Sequence, residues 1–460
     1  MQTFKVISPV NNRRYAERAY ATDKEIAQRV EVAQQAQIAW QQVSITARRE
    51  VCLKAVSALL ARQSPIAEEL SWQMGRPLRY TPGEVNGFAE RARLMARIAE
   101  NKLAEIEIER SAEMTRLIRR APLGVVLSIV PWNYPYLTAV NSIIPALMAG
   151  NSVIIKPASQ TPLTAERIAE AFKNAGLPDG LFQYLFIDHA TTTRLIQNDA
   201  INYVAFTGST RGGRDIEAAA VGRFIDVGLE LGGKDPAYVR SDADTARAIE
   251  GLVDGAFFNS GQSCCGIERI YVHKDRYRDF CDGYIELTRE YTLGDPLHPD
   301  TTLGPMVNSA AATRVREQIE NAIISGAMAC IDEKEFAASK PGTPYLAPQV
   351  LLDVDHSMAV MRDESFGPVV GIMQVDSDDE AVALMNDSPY GLAASIWTED
   401  STAALTLGTQ LQTGTCFMNR CDYLDPALPW VGLKGSGKGC TLSELAYERL
   451  TQPRSFHLRR

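Results

Sequence analysis

Apolar residues recur at helical spacing from Asp23 to about Ala61, where Ile26, Val30 and Ala33 stand among Ala, Gln and Glu. That spacing predicts amphipathic helices early in the chain. Beyond Pro122 the pattern changes to short apolar runs alternating with helical stretches. Val125–Val130, Ser152–Ile155, Leu181–Ile187, Val204–Phe206, Phe224–Val227 and Pro236–Val239 read as buried strands, with helices over Leu137–Ala149 and Thr164–Asn174. Such alternation predicts an α/β fold built on a doubly wound sheet of parallel strands. Asp244–Phe258 reads as a helix, and a second βα series follows through Ile270–Val272, Arg276–Tyr291, Val369–Val375 and Asp379–Asn386. The junction between the two series falls near Leu231-Gly232-Gly233, where two glycines permit a sharp turn.

Composition narrows the class. At 460 residues the chain exceeds one ordinary core, so two or three domains are expected. A net charge of −9 argues against a general nucleic-acid binder. The N-terminal stretch lacks the apolar core of a secretory signal. The most apolar region, from Ala121 to Ile155, is interrupted by Pro122, Pro131, Pro135 and Pro145, which argues against a membrane helix. Eight cysteines without paired CxxC spacing fit a reducing cytoplasm, and no metal site is expected.

The stretch FFNSGQSCC, Phe257–Cys265, places two adjacent cysteines at the end of a predicted helix. Neighbouring cysteines rarely bond to each other, and no His or Cys stands close enough for a metal site. What remains is a nucleophilic thiol at Cys264 with a structural neighbour. None of the five histidines sits in a motif that would pair with it, and Cys265 stands where a nucleophile elbow around Ser263 needs glycine. Gly432–Gly439 nearly spells a Walker A loop, but Gly439 occupies the position of the Mg²⁺-binding hydroxyl. Phe206-Thr207-Gly208-Ser209-Thr210 follows a strand and opens a helix, so its free N–H groups could meet a pyrophosphate.

The motifs PWNYP at 131, KPASQTP at 156, FTGST at 206, ELGGK at 230, the cysteine stretch and ESFGP at 364 come in a fixed order. In that order, and in the 264 − 230 = 34 residue separation of Glu230 from Cys264, the chain resembles the NAD(P)-dependent aldehyde dehydrogenase superfamily. The likeness implies a cofactor-binding domain over 1–110 and 123–231, a catalytic thiol domain over 232–440, and a small β arm for oligomerisation over 111–122 and 446–460. It implies Cys264 as the nucleophile that forms a thiohemiacetal and then a thioester, with the Asn133 amide and the Cys264 N–H as oxyanion hole. Glu230 becomes the general base for the deacylating water. Trp132, Lys156, Ser159, Gly208, Ser209, Glu364 and Phe366 become cofactor residues. No metal is implied.

Departures from the family pattern refine this. The position of Ser159 is usually acidic in NAD-preferring members, so NADP is expected to be accepted alongside NAD. Asn141 and Phe258 stand where members acting on succinic semialdehyde carry arginines, which speaks against a dicarboxylic semialdehyde. Tyr134, Asn141, Phe258, Cys265, Leu424 and Trp430 then outline a mostly apolar, aromatic substrate tunnel, although Arg420 leaves room for a polar or anionic tail. Glu230 favours hydrolysis over transfer of the acyl group to CoA. The survival of Cys264, Glu230 and Asn133 opposes a catalytically silent structural member. Alternating residues in Met114–Arg120 and Thr451–Arg459 fit edge strands that associate, giving a dimer or a dimer of dimers.

Overall fold

The computed structural model describes residues 2–460. Two helix-flanked sheets and three small antiparallel ones, the largest of three strands, account for the architecture. In the first large sheet the strands lie in the order Gly437–Lys438, Asp226–Glu230, Ile201–Thr207, Val125–Ile129, Ser152–Lys156 and Phe182–Tyr184. All run parallel except Gly437–Lys438. Val125–Ile129 (VVLSI) is buried at every position, as expected of a central strand with helices on both faces. Strand order reverses on its two sides, towards Ser152–Lys156 on one and Ile201–Thr207 on the other. A crevice opens beyond the carboxyl ends of strands at such a switch point. Asn133, Lys156, Gly208 and Glu230 all lie at or just past those ends.

The second sheet has the order Met328–Ala329, Gln349–Leu352, Val369–Val375, Ile267–His273, Asp235–Val239, Ala393–Trp397 and Thr415–Met418, parallel except at Met328–Ala329. Leu231–Lys234 leads directly from the carboxyl end of a first-sheet strand to the amino end of Asp235–Val239. Cys264 and Glu364 likewise precede the strands Ile267–His273 and Val369–Val375. The site is therefore built where carboxyl ends of one sheet meet amino ends of the other.

Several expectations shift. The strand placed at Phe224–Val227 runs over Asp226–Glu230, and Phe224 is fully exposed with a positive φ. The strand placed at Leu181–Ile187 shortens to Phe182–Tyr184. The arm is a three-stranded sheet in which Met114–Pro122 lies between Thr451–Arg459 and Ile106–Arg110. Ile106–Arg110 is the strand that the pattern left in the first domain, because its Ile-Glu alternation is exposed on nearly every residue. The near-Walker stretch is a strand turn: Gly437 and Lys438 pair antiparallel with Glu230 and Leu229. Among the described residues no helix is long and apolar enough to cross a membrane.

Candidate active site

The helix Thr245–Phe257 stops at Phe258, after which Asn259, Ser260 and Gly261 take successive positive φ values of 54°, 57° and 68°. A side chain at Gly261 would collide with the Gly367 carbonyl. The reversal is held by polar side chains that have no other use. Ser260 Oγ donates to the Gly304 carbonyl at 2.7 Å, and Gln262 Nε2 donates to the Asn259 carbonyl at 3.1 Å. Gln262 Oε1 accepts the Val307 N–H at 2.8 Å. The Gly-Gln pair before the cysteines is thus a turn and its strut, and it delivers Cys264 to the crevice.

Asn133 follows the central strand, is buried, and donates from Nδ2 to the Gln262 carbonyl at 3.1 Å. Beneath it lies a buried ion pair that sequence reasoning missed. Arg76 Nη1 meets Glu84 at 2.8 Å, and both side chains are essentially inaccessible. Arg76 also donates to the Asn133 carbonyl and, through Nε, to Asn259 Oδ1 at 3.2 Å. Its guanidinium covers the Tyr134 ring at 4.3 Å. Glu84 in turn accepts the N–H groups of Tyr136 and Leu137, free donors in the first turn of helix Pro135–Ala149. One pair therefore anchors Asn133, the helix that follows it and the cysteine turn.

Glu230 ends its strand with both carboxylate oxygens engaged. Thr207 Oγ1 donates to one at 3.0 Å, and Thr441 Oγ1 donates to the other. Burial raises its pKa, while these hydroxyls and the more distant Arg91 pull it back. Thr441 had no motif to announce it. It arrives through the Gly437–Lys438 pairing and a bridge in which Trp430 and Thr441 exchange backbone hydrogen bonds. A cavity lies beside Glu230, lined in part by Thr138, Asn141, Thr207, Trp430 and Thr441.

Cys264 is half-buried and Cys265 buried, packed with Leu392, Trp430 and Leu442, and Leu424 closes the same cluster. The Cys264 thiol is raised well above its ordinary range, first by its hydrogen bond with Cys265 and then by burial. Two adjacent buried thiols do not both ionise, so they titrate as a pair. Of the other predicted tunnel residues, Tyr134 lies under Arg76, Asn141 is buried on helix Pro135–Ala149, and Phe258 meets the Tyr80 ring edge-on at 5.2 Å.

The opposite mouth of the crevice fits a dinucleotide. Ser209 caps the helix Thr210–Ala219 by accepting the Gly212 N–H at 3.1 Å, and Gly208 leads into that turn. Lys156 is half-buried, with burial lowering its pKa, and Ser159 is exposed. Glu364 accepts the Gly233 N–H at 3.0 Å, and burial with the nearby Glu268 raises it to about 7. A Cβ on Gly232 would meet the Glu364 carboxylate, so a larger residue there would displace it. Trp132 and Phe366 meet edge-to-face with centroids 5.7 Å apart, and Phe366 is held at φ 51°. A second buried pair, Lys234 with Glu268, sets this loop: Glu268 accepts the N–H groups of Ser365 and Phe366, and Lys234 donates to Ser365 Oγ. The helix terminus suits a pyrophosphate, the lysine and carboxylate suit ribose hydroxyls, and the two rings suit a planar nicotinamide.

A profile of the aldehyde dehydrogenase family matches residues 1–456. The chain belongs to that family and is an oxidoreductase acting on aldehydes. It is 36% identical over 413 residues to a 3-sulfolactaldehyde dehydrogenase of Priestia aryabhattai, covering 88% of this chain and 85% of that protein. To a geranial dehydrogenase of Castellaniella defragrans it is 34% identical over 423 residues, covering 90% and 86%. The solved succinic semialdehyde dehydrogenase of Streptococcus pyogenes, in complex with NADP+, matches at a TM-score of 0.94 and 28% identity, covering 99% of this chain and 100% of that one. Solved relatives carry NAD or NADP.

Removing one partner of a buried ion pair strands the other charge. Arg76→Met is expected to cost about 3–5 kcal/mol in denaturant unfolding, and Arg76→Met with Glu84→Leu together is expected to recover most of that loss. Aldehyde oxidation in the double variant stays at least ~10-fold below wild type, because Asn133 and Asn259 have lost their common anchor. Full activity in the double variant would show that the pair does not position the site.

Proposed function

We propose that this chain oxidises an aldehyde to a carboxylic acid through a thioester on Cys264 that water hydrolyses. The carrying observation is Glu230, a half-buried carboxylate with raised pKa at the end of its strand, near enough to Cys264 for its charge to act on the thiol. The Cys264 thiolate, its proton lost to solvent, attacks the carbonyl carbon and forms the C–S bond. The carbonyl oxygen gains charge where Asn133 keeps one amide N–H beyond the one given to Gln262. NAD or NADP, when bound, supplies the acceptor for the hydride lost from that carbon. Glu230 then takes a proton from water, whose oxygen attacks the thioester carbon, and the C–S bond breaks to release the acid and the Cys264 thiolate. Tyr134, Phe258, Leu424 and Trp430 form apolar walls for the substrate. A member that passes its acyl group to CoA would have no work for Glu230. All eight cysteines are free, consistent with function in a reducing, cytoplasmic setting. The exposed strand Thr451–Arg459 at the edge of the arm is read as the surface that pairs with a second copy, giving a dimer or a dimer of dimers.

Two measurements test this reading. Glu230→Gln should keep a first-turnover burst of reduced nicotinamide while its steady rate falls roughly 10²–10⁴-fold. Wild-type turnover should rise with pH above the ordinary carboxylate range, since only deprotonated Glu230 accepts a proton and its pKa is raised; in the variant that dependence disappears. An unchanged steady rate, or reduction that begins only when CoA is added, would remove Glu230 from its role. For the cofactor, Ser159→Glu should raise KM for NADP at least ~10-fold and leave KM for NAD within about threefold, because a carboxylate there repels a 2′-phosphate. Equal effects on both cofactors in parallel absorbance assays would place the phosphate elsewhere.

A further inference from the structure

From Trp430 to Thr441 the chain forms a strap across the edge of the first sheet, and other groups than the Thr441 side chain hold it there. Trp430 and Thr441 exchange backbone hydrogen bonds, and Gly437 and Lys438 pair with Glu230 and Leu229. The Ser436 carbonyl accepts the Leu231 N–H at 3.0 Å, its Oγ accepts the Gly391 N–H at 3.0 Å, and Thr210 Oγ1 donates to the Gly435 carbonyl at 3.0 Å. Gly437 sits at φ 123°, and a Cβ there would collide with the Leu229 carbonyl, so a side chain at that position would open the pairing. The Thr441 hydroxyl is left for a different use. Among the described residues its one partner is Glu230 Oε1, to which it donates.

Thr207 ends the strand on one side of Asp226–Glu230, and Thr441 follows the strand on the other. Their hydroxyls therefore grip the two carboxylate oxygens from opposite sides, which fixes the plane of the group and leaves each oxygen a lone pair. Charged and titratable groups face Glu230 from the elements around it. Arg91 comes from helix Pro82–Lys102, Tyr203 from strand Ile201–Thr207, Cys264 from its turn and Cys440 from the strap. Asn141 faces it from helix Pro135–Ala149. Arg91 is the one cation among these, and its hydrogen bonds go to the Leu137 carbonyl and Asn141 Oδ1. Lys438, the strap's own cation, pairs instead with Glu217. Burial raises the Glu230 carboxyl, and the strongest group opposing that rise is Thr441, ahead of Thr207, Arg91 and Asn141. A hydroxyl aimed at a carboxylate oxygen favours the ionised form, because only that form accepts freely at both oxygens.

We propose that Thr441 is the positioning residue of the base: its hydroxyl holds the Glu230 carboxylate in the orientation and charge state that can take a proton from water, so the strap sets the pH range in which the thioester is hydrolysed. This rests on the role of Glu230 proposed above and deepens it. Thr441 acts through Glu230 and takes no proton itself. The hydroxyl is delivered by the register of Gly437 with Glu230, so a side chain eleven positions beyond Trp430 governs a base on another strand.

Thr441→Val removes the hydroxyl, keeps the shape and leaves the backbone bonds of the strap in place. In the full-length protein with saturating cofactor and aldehyde, the rise of steady turnover with pH should move to higher pH in this variant. At the wild-type midpoint its steady rate should fall roughly 10-fold, the range of one hydrogen bond to a charged group, and should recover as pH increases. The first-turnover burst of reduced nicotinamide should stay within about threefold, because C–S bond formation and hydride loss precede the step that needs the base. Thr441→Ser, which returns the donor, should bring the midpoint back. A merely structural role would lower burst and steady rate together at every pH and leave the midpoint where it was; that result overturns the proposal. Should Thr441→Val fail to fold, Thr441→Ala is read in the same way. Infrared difference spectra, each protein against its own Glu230→Gln counterpart, isolate the Glu230 carboxyl band without turnover. That band should titrate at higher pH in Thr441→Val than in wild type. A band that moves while the steady rate ignores Glu230→Gln supports the hold of Thr441 and overturns Glu230 as the base instead. A band that stays in place overturns the proposal.

Discussion

A guanidinium removed from water must find acceptors for its N–H groups, and at Arg76 they come from three separate parts of the chain. Glu84 lies on the following helix, Asn133 beyond the central strand of the first sheet, and Asn259 in the turn before Cys264. Because the donors of a guanidinium are fixed in one plane, the three acceptors cannot drift independently. The distance between Asn133 and the cysteine turn is thereby set by a planar group with no rotatable bond of its own. Glu84 extends the constraint to helix Pro135–Ala149, whose first free amides it accepts. The site's geometry depends on this pair before it depends on any residue that touches substrate.

Lys234 and Glu268 play the corresponding part on the cofactor side. The chain crosses from one sheet to the other through Leu231–Lys234, and Lys234 is sealed at that crossing against Glu268 on strand Ile267–His273. Glu268 then holds the backbone of Ser365 and Phe366, which fixes the loop carrying Glu364. Both pairs sit where carboxyl ends of one sheet face amino ends of the other. Neither replaces apolar packing in a core; each joins segments that packing alone would leave free to slide.

How much of this the sequence disclosed follows from what kind of constraint each residue meets. Backbone constraints are legible: the glycines of the cysteine turn, the strand-to-helix turn at Gly208 and the crossing at Gly232 leave compact motifs in order along the chain. Residues meeting through strand register leave none. Thr441 reaches Glu230 only because Gly437 pairs with Glu230, and the same stretch resembled a phosphate loop in isolation. Ile106–Arg110 joins the arm by pairing with Met114–Pro122, yet it buries almost nothing that a pattern could register. The charged residues of helix Pro82–Lys102 are an intermediate case. Positions 84, 88, 91 and 95 share one face, and a glutamate and an arginine on that apolar stripe were visible without the structure. Knowing which was paired needed the coordinates.

Among the described residues five cations are buried, Arg48, Arg76, Arg91, Lys234 and Arg269, and they are held in two ways. Arg76 and Lys234 each contact a carboxylate, and their buried charge is met inside the chain. Arg91 is buried on the same helix as the partner of Arg76, yet its contacts are one carbonyl and one amide oxygen. Arg48 and Arg269 are buried without a carboxylate as well, and backbone carbonyls accept from both. The carboxylate-paired cations are the two that join segments around the crevice, whereas the carbonyl-held ones tie neighbouring elements together.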